Sequence, residues 1–398
     1  MNKKWLGYAL LAFALTGCAT AAEKSKWVGT WSSSVQEVEA DLVPDGFSKP
    51  DDTTIRQLVH VSIGGEKIRI RISNAFAGRN ETLQISAVNV ALCKERDQIV
   101  KETLTPVTFF GETSVRVPNG LMFVSDPIDF ELPAGADVAV TMHVVNAPRT
   151  ISGHRSARGE YVFLKKGNHL DAEAMPEAAV GKEWYYLGGM DVLATETSSA
   201  IICLGDSITD GKGSTEGKNI RWPDLLAARL RDNPKTAELG MMNHGIGGNS
   251  LWSGGIGQVA LQRLERDILS QPGTEWLIVM EGINDLGNGG RASDVIKSYQ
   301  QIIARARDCG MRVYGVTILP CGTSFYDRGA MEEERQKVNE WIRTSGAFDE
   351  VLDWDAIVRD PENPRNLLAA ADSGDHLHLS DKGYEMLANS VDLKLFEK

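Results

Sequence analysis

The feature that most constrains the fold is a short apolar segment, 200–204, which ends in a Gly-Asp-Ser turn. Its length and its β-branched isoleucines predict a buried strand. After a Gly-rich loop, segment 221–230 has leucines at helical spacing and a proline near its start, which predicts a helix. Ser207 is therefore expected just after the C-terminal end of a strand, at the edge where open α/β sheets bind ligands. The alternative is that the Gly-Asp-Ser turn only reverses the chain.

After a polar break at 196–199, short apolar runs alternate with amphipathic segments. The apolar runs predict strands at 276–280, 313–319 and 351–354. The amphipathic segments predict helices at 293–306, 332–344 and 380–391. This alternation implies a parallel sheet with helices on both faces.

Residues 27–195 have a different pattern, in which short strand-like segments are separated by Pro-rich and Gly-rich turns. Segment 67–73 alternates polar and apolar residues, which predicts a half-buried strand. Many short strands at close spacing predict an antiparallel β-sandwich that is jelly-roll-like in form. Two domains are therefore expected, a β-sandwich over 27–195 and an α/β domain over 196–398.

The N-terminus is typical of an export signal. Two lysines precede the apolar run 5–15, which is too short to favour a membrane-spanning helix. The sequence Leu-Thr-Gly-Cys that ends at Cys18 resembles the lipobox of bacterial lipoproteins, in which the cysteine is lipidated. We therefore expect a lipoprotein signal peptide over 1–17, a polar tether over 18–26 and anchoring in the cell envelope. The alternative is a plain signal peptide cleaved after the Ala-rich stretch 19–22.

Composition limits the partners and cofactors. The formal charge of −12 argues against nucleic acid and against peripheral binding to anionic lipid. No cofactor or metal is expected, because the seven histidines are scattered and His376 and His378 form the only close pair. The four cysteines other than Cys18 are expected to be mostly buried free thiols: Cys93, Cys203, Cys309 and Cys321.

Four separated motifs in the second half supply the groups that acyl transfer needs. That chemistry uses a nucleophile, a base, a group that orients the base, and donors that stabilise an oxyanion. The motifs are Gly-Asp-Ser at 205–207, a Gly-rich stretch at 243–250, Gly-Ile-Asn-Asp at 282–285, and Asp-His-Leu-His at 375–378. Taken singly, the second and third motifs could also be ordinary loops.

These motifs, and the stretches around them, resemble those of the GDSL, or SGNH, hydrolase superfamily over 200–390. The resemblance is close to a subfamily of arylesterases and acylhydrolases, some of which are associated with xylan breakdown. It implies a flavodoxin-like three-layer α/β/α domain. The segments 27–31 and 73–76 also resemble an N-terminal β-domain that some relatives carry.

The resemblance assigns a role to five residues. Ser207 is expected to be the nucleophile, His378 the base and Asp375 the group that holds it. The backbone N–H groups of Ser207 and Gly248 and the side chain of Asn284 are expected to form the oxyanion hole. An Asp and a His three residues apart on one loop can both reach a strand edge, and a carboxylate fixes the imidazole tautomer.

Several alternatives stay open from the sequence. The Asp-x-x-His spacing selects His378, unless Asp372 pairs with His376 instead. Asp206 and Asp210 are expected to shape the turn through side-chain-to-backbone hydrogen bonds. Two tryptophans could line an acyl or sugar pocket or pack in a core: Trp222 and Trp252.

We therefore expect an exported serine esterase acting on O-acetyl or other short acyl esters, on an acylated small molecule or a plant polysaccharide such as xylan. One alternative is a broad arylesterase or lysophospholipase. An alternative of another class is a glycan-binding surface lipoprotein whose hydrolase domain is degenerate.

Overall fold

A computed structural model describes residues 25–156, 158 and 162–397. The predicted signal peptide 1–17 and the lipidation site Cys18 lie outside the described residues. The first strand begins at Ser25, so the last two residues of the predicted tether 18–26 lie in a strand. Within the described ranges, no helix is both long enough and apolar enough to cross a membrane.

The first half is rich in strands, as predicted, and most of them are short. In chain order they are β1 (Ser25–Ser32), β2 (Gln36–Glu37), β3 (Thr53–His60), β4 (Gly65–Ser73), β5 (Thr82–Glu95), β6 (Gln98–Ile99), β7 (Thr105–Val107), β8 (Val115–Pro118), β9 (Met122–Val124), β10 (Ile128–Leu132), β11 (Asp137–Asn146), β12 (Ser152–His154), β13 (Val162–Lys166), β14 (Ala179–Gly181), β15 (Trp184–Tyr185) and β16 (Leu187–Thr195). Two short 3₁₀ turns interrupt them, Ala40–Leu42 and Lys101–Thr103.

These strands pair antiparallel in three sheets. The order is β1-β16-β4-β10 in the first, with β9 on β4, and β14-β13-β3-β11-β5-β6 in the second, with β7 and β8 on β5. The third sheet has the order β15-β12-β2. The alternating segment predicted as a strand is β4, and its isoleucines Ile68, Ile70 and Ile72 are fully buried.

The second half alternates strands and helices. The strands are β17 (Ser199–Gly205), β18 (Leu239–Gly245), β19 (Thr274–Met280), β20 (Arg312–Val316) and β21 (Glu350–Leu352). The helices are α1 (Ser207–Asp210), α2 (Trp222–Asp232), α3 (Ala260–Leu264), α4 (Ile283–Gly287), α5 (Ala292–Asp308), α6 (Met331–Thr344), α7 (Trp354–Val358) and α8 (Asp381–Ser390). A π-helical turn, Glu265–Leu269, continues α3, and a 3₁₀ turn, Leu393–Phe396, follows α8.

All strands of the second half are parallel, in the order β18-β17-β19-β20-β21. The register sets Gly205 level with Gly245 on one side and with Met280 on the other. Three of the predicted motifs therefore lie side by side at one edge of the sheet, because the C-terminal ends of parallel strands lie at the same edge.

Some elements differ from the predictions. Strand β18 was not predicted, since its sequence has two glycines and no β-branched residue. Helix α5 begins at Ala292 with Arg291 as its N-cap, rather than at Ser293. The predicted strand 351–354 ends at Leu352, and Trp354 begins α7. Ser380 does cap the final helix, because its hydroxyl accepts a hydrogen bond from the N–H of Gly383.

The two halves share one hydrophobic core, and β1 packs directly against β18. Two glycines lie where these strands cross: a Cβ on Gly29 would collide with Met242, and one on Gly240 with the carbonyl of Gly29. The close approach thus depends on residues without a side chain. The cysteines Cys93, Cys203, Cys309 and Cys321 are free thiols, but only the second and the fourth are buried.

Candidate active site

Ser207 begins a single helical turn at the end of β17. The strand is buried along its whole length, and Asp206 caps the turn by accepting a hydrogen bond from the N–H of Ile208 at 2.8 Å. Gly211 closes the turn in a left-handed conformation, with φ +99°. Ser207 is thus held where β17 ends, as the local sequence predicted, and is 6% exposed.

Two hydrogen bonds connect Ser207 to His378 and His378 to Asp375. The Ser207 Oγ lies 2.7 Å from Nε2 of His378, and Nδ1 of His378 lies 2.6 Å from a carboxylate oxygen of Asp375. The other oxygen of Asp375 accepts from the backbone N–H of His378 at 2.8 Å. Because the carboxylate can only accept, Nδ1 carries the proton and Nε2 is left to accept from the serine.

The neighbouring histidine forms a similar pair away from the serine. Nδ1 of His376 lies 2.6 Å from Asp372, so both Asp–His pairs weighed from the sequence exist. The His376 side chain is 50% exposed, whereas that of His378 is 5% exposed. Of the two, it is His378 that contacts Ser207.

Burial sets the protonation of this pair. It lowers the pKa of His378 below its ordinary value, and the carboxylate of Asp375 opposes this only in part. Burial alone would raise the pKa of Asp375, but hydrogen bonds from the backbone and side chain of His378 hold it below its ordinary range. At neutral pH the imidazole is therefore neutral and can accept a proton.

The two other predicted oxyanion donors lie beside the serine. Gly248 has φ +76°, and a Cβ there would lie 2.9 Å from the side chain of Ile256, so the loop requires glycine at this position. Asn284 stands in the first turn of α4, is buried, and lines the same cleft as Ser207. One donor of its amide bonds to the carbonyl of Asn249 at 2.7 Å, which leaves the second N–H for a ligand.

Comparison with known proteins identifies a family for part of the chain. Residues 203–386 match the sequence model of the GDSL-like Lipase/Acylhydrolase family. This stretch belongs to that family. The protein is therefore an esterase, and the matched GDSL domain contains every residue that the sequence placed in the site. None of the curated proteins that were compared matches the chain.

Solved structures with similarity to the chain include three esterases or lipolytic proteins. A carbohydrate acetylesterase from Sinorhizobium meliloti is 16% identical, covering 50% of this chain and 99% of its own, with a TM-score of 0.39. An acetyl xylan esterase is 24% identical, covering 48% and 96%, with a TM-score of 0.38. A lipolytic G-D-S-L protein from Veillonella parvula is 20% identical, covering 50% and 98%, with a TM-score of 0.38.

Two residues of the GDSL domain that the sequence did not assign to the site hold its donors in place. The hydroxyl of Tyr326 donates to Oδ1 of Asn284 at 2.8 Å and so fixes which way the amide faces. The carboxylate of Asp285 accepts from the N–H groups of Leu251 and Trp252, which fastens the loop after Gly248 to α4. Tyr326 follows no motif spacing, so only the three-dimensional fold reveals its role.

A buried arginine lies beneath the GDSL motifs. Arg263 on α3 is fully buried and donates to the carbonyl of Gly205 at 3.3 Å and to the side chain of Asn249 at 3.0 Å. It also lies 3.4 Å from Glu281, which precedes the third motif. From the strand-rich half, the hydroxyl of Ser34 accepts from the same guanidinium at 2.8 Å. One side chain thus ties three motifs to each other and to the first half.

Asp210 differs from its predicted role. Among the described residues its carboxylate bonds to no backbone group; it binds Nε2 of His154 at 2.9 Å and Nε of Arg158 at 3.0 Å. Burial alone would raise the pKa of Asp210, but the Arg158 guanidinium and the hydrogen bonds from His154 and Arg158 hold it below its ordinary value. The turn that carries Ser207 is therefore held by residues of the strand-rich half.

The two tryptophans considered from the sequence have different environments. Trp222 is fully buried and packs edge-to-face on Trp354, so it is a core residue. Trp252 is 51% exposed and lines a neighbouring cleft with Asp285 and Asn288. The cleft that holds Ser207 has a volume of about 450 Å³ and is lined by residues of both halves.

Proposed function

We propose that this protein is an exported serine esterase that hydrolyses O-acetyl or other short acyl esters on a plant polysaccharide such as xylan. The observation that carries the proposal is the unbroken hydrogen-bonded chain from Ser207 through His378 to Asp375 in an open cleft. A serine hydroxyl is a weak nucleophile unless a neighbouring base takes its proton.

In the proposed reaction, Oγ of Ser207 bonds to the ester carbonyl carbon while its proton passes to Nε2 of His378. The resulting oxyanion accepts hydrogen bonds from the backbone N–H groups of Ser207 and Gly248 and from the free amide N–H of Asn284. The bond to the alcohol oxygen then breaks, and His378 returns the proton to that oxygen. A water molecule repeats the sequence on the acyl-enzyme, releases the acid and restores the serine.

The lining of the cleft supports a short acyl group. Charged and polar side chains dominate it, and its aliphatic and phenyl side chains are few: Leu42, Ile256, Phe325 and Leu377. A long acyl chain would need a continuous apolar surface to leave water favourably. The choice of plant polysaccharide rests on the resemblance of the sequence motifs to the xylan-associated subfamily.

The proposal extends to architecture and location. A parallel sheet whose order in chain numbering is 2-1-3-4-5 supports a flavodoxin-like three-layer domain over 196–398. The antiparallel sheets support a β-sandwich domain over 27–195. The lipobox-like sequence ending at Cys18 supports a lipid anchor in the cell envelope, facing the periplasm or attached to the outer membrane.

The test compares wild type with Ser207→Ala. We expect acetate release from acetylated xylan and from p-nitrophenyl acetate by the wild type, and loss of both in the variant. Ser345→Ala, an exposed serine at the end of α6, is the matched control and should behave as wild type. Circular dichroism would check that both variants are folded.

Three results would contradict the proposal in different ways. Activity that survives Ser207→Ala would exclude the serine mechanism. Hydrolysis of aryl esters that rises with acyl length, without action on xylan, would favour the arylesterase or lysophospholipase alternative. Binding of xylan with no turnover of any ester would favour the glycan-binding alternative.

A further inference from the structure

The wall of the cleft has a charge opposite to that of the whole chain. The chain carries a formal charge of −12, yet four basic residues of the described ranges line the cleft that holds Ser207. They are Arg155, Arg158, Lys182 and Lys212. Among the described lining residues, the one acidic side chain is that of Glu183, and burial raises its pKa.

Three of the four cations have acidic partners set back from the cleft. Arg155 pairs with Glu39 at 3.0 Å and Lys182 with Glu216 at 2.6 Å, and neither acid is among the lining residues. Arg158 pairs in the same way with the buried carboxylate of Asp210. The acids therefore hold the cations from outside, while the cations face the space that a substrate would occupy.

Lys212 is different, because it forms no ion pair with the acidic residues of the described ranges. Its backbone is fixed: its N–H donates to the carbonyl of Ser207 at 2.8 Å, and its own carbonyl accepts from Tyr384 at 2.7 Å. The positive charge of the Lys212 side chain lies close enough to His378 to help lower the pKa of the imidazole. A structural role in joining the two halves explains the pairs of Arg158 and Lys182, whose acidic partners lie in the α/β half. It does not explain a lysine beside the nucleophile that pairs with none of the acids in the described ranges.

We infer that the alcohol part of the natural ester carries a carboxylate, as in a uronic acid unit of a polysaccharide, and that Lys212, Arg155, Arg158 and Lys182 bind it. This inference rests on the proposed esterase function and names its substrate class. A short acyl group has no charge for these cations to meet, so the anion must stand on the alcohol side. Guanidinium groups match carboxylates in geometry, and a lysine beside them adds a point charge.

The experiment uses two esters that differ in one charge. p-Nitrophenyl acetate is neutral, and 4-acetoxybenzoate carries a carboxylate on an otherwise similar aryl acetate. The quantity measured is the ratio of kcat/KM for the anionic ester to that for the neutral ester. We expect Lys212→Gln to lower this ratio about threefold to tenfold, as the loss of one partly screened charge contact implies.

The salt dependence of the same kcat/KM ratio is a second test. Raising NaCl from about 10 mM to about 1 M shortens the screening length from about 30 Å to about 3 Å, so the wild-type ratio should fall. Lys182→Gln should lower the ratio less than Lys212→Gln, because Glu216 already pairs with Lys182. Lys297→Gln, an exposed lysine on α5 that pairs with Asp294, is the matched control and should leave the ratio unchanged.

Binding separates failure of this inference from failure of the proposed function. The Ser207→Ala protein should bind polygalacturonate in a calorimetric titration, and both salt and Lys212→Gln should weaken that binding. A ratio that responds to neither salt nor Lys212→Gln, or absence of polyuronate binding, would overturn the inference while Ser207-dependent hydrolysis of the neutral ester would still support the esterase. Salt-sensitive binding without hydrolysis would support the anionic ligand and contradict the esterase.

Discussion

The two halves of the molecule contribute to the site in different ways. In the α/β half, three of the groups proposed for chemistry follow strand ends: Ser207 follows β17, Gly248 follows β18 and Asn284 follows β19. Asp375 and His378 lie in the loop before α8. In the strand-rich half, the contributing side chains come from separate loops and strands, such as Ser34 and His154, and support the site from outside. One sheet edge thus places three of the proposed groups, whereas the supporting side chains come from distant parts of the chain.

The contact between the halves is polar as well as apolar. His244, at the end of β18, bonds through its two ring nitrogens to Ser32 at 2.5 Å and to Ser34 at 3.0 Å. Burial lowers the pKa of His244 to about 3, so the ring is neutral. One nitrogen of a neutral imidazole donates and the other accepts, and here each has a serine hydroxyl as its partner. A buried polar network of this kind fixes one relative placement of the halves, because any shift would leave polar groups unpaired.

The largest expected effect tests the chemical half alone. Asp375→Asn should reduce kcat for p-nitrophenyl acetate by a factor on the order of 10⁴, since the amide no longer fixes the tautomer in which Nε2 of His378 accepts. The matched control is His376→Gln, which alters the exposed Asp–His pair on the same loop and should change kcat little. Near-normal activity in Asp375→Asn, or a large loss in His376→Gln, would reverse the assignment of the two pairs.

The same contrast explains what the sequence could predict. The strand at 199–205, the Asp cap before Ser207 and the Asp-x-x-His pair depend on neighbours within a few residues, so local patterns reveal them. Tyr326 reaches Asn284 over 42 residues of sequence, and the partners of Asp210 lie more than 50 residues away. No spacing rule connects such pairs, because their proximity is set by how the sheets pack.

Strand β18 was missed for a related reason. Its sequence carries glycines at positions 240 and 245 instead of β-branched residues. One of them is required where β1 crosses it, and the other because a Cβ on Gly245 would collide with the backbone of Asp210. Demands from tertiary packing have therefore overridden the strand propensity that a local reading depends on.

The second expected effect tests the connection between the halves. Arg263→Met should destabilise the fold by about 3–5 kcal/mol, because it leaves buried acceptors around Gly205, Asn249 and Glu281 without their donor. The midpoint of urea unfolding measures this loss. The control is Arg307→Met on α5, whose partly exposed pair with Asp349 should be worth less than about 1 kcal/mol.

The shape of the unfolding curve also tests the connection. Because the two halves share one core and one polar network, we expect a single transition in the wild type. Two separate transitions, with Arg263→Met affecting one of them alone, would show that the halves are independent units.

The smallest expected effect tests whether a charge from the strand-rich half changes the pKa of His378. The proposed mechanism requires neutral His378, so kcat/KM should rise with pH and reach half its limit below the ordinary histidine value of 6.5. The positive charge of Arg158 disfavours the imidazolium and is one cause of that lowered pKa. Removing it in Arg158→Gln should therefore move the acid limb to higher pH.

A purely structural role for Arg158 would give a different result. Loosening the turn that carries Ser207 would lower kcat/KM at every pH and leave the midpoint of the acid limb in place. The neutral ester p-nitrophenyl acetate keeps substrate charge out of this measurement, and Arg307→Gln serves as the remote control. An unmoved limb in Arg158→Gln would show that the strand-rich half only supports the site, whereas an upward shift would show that its charge also tunes the base.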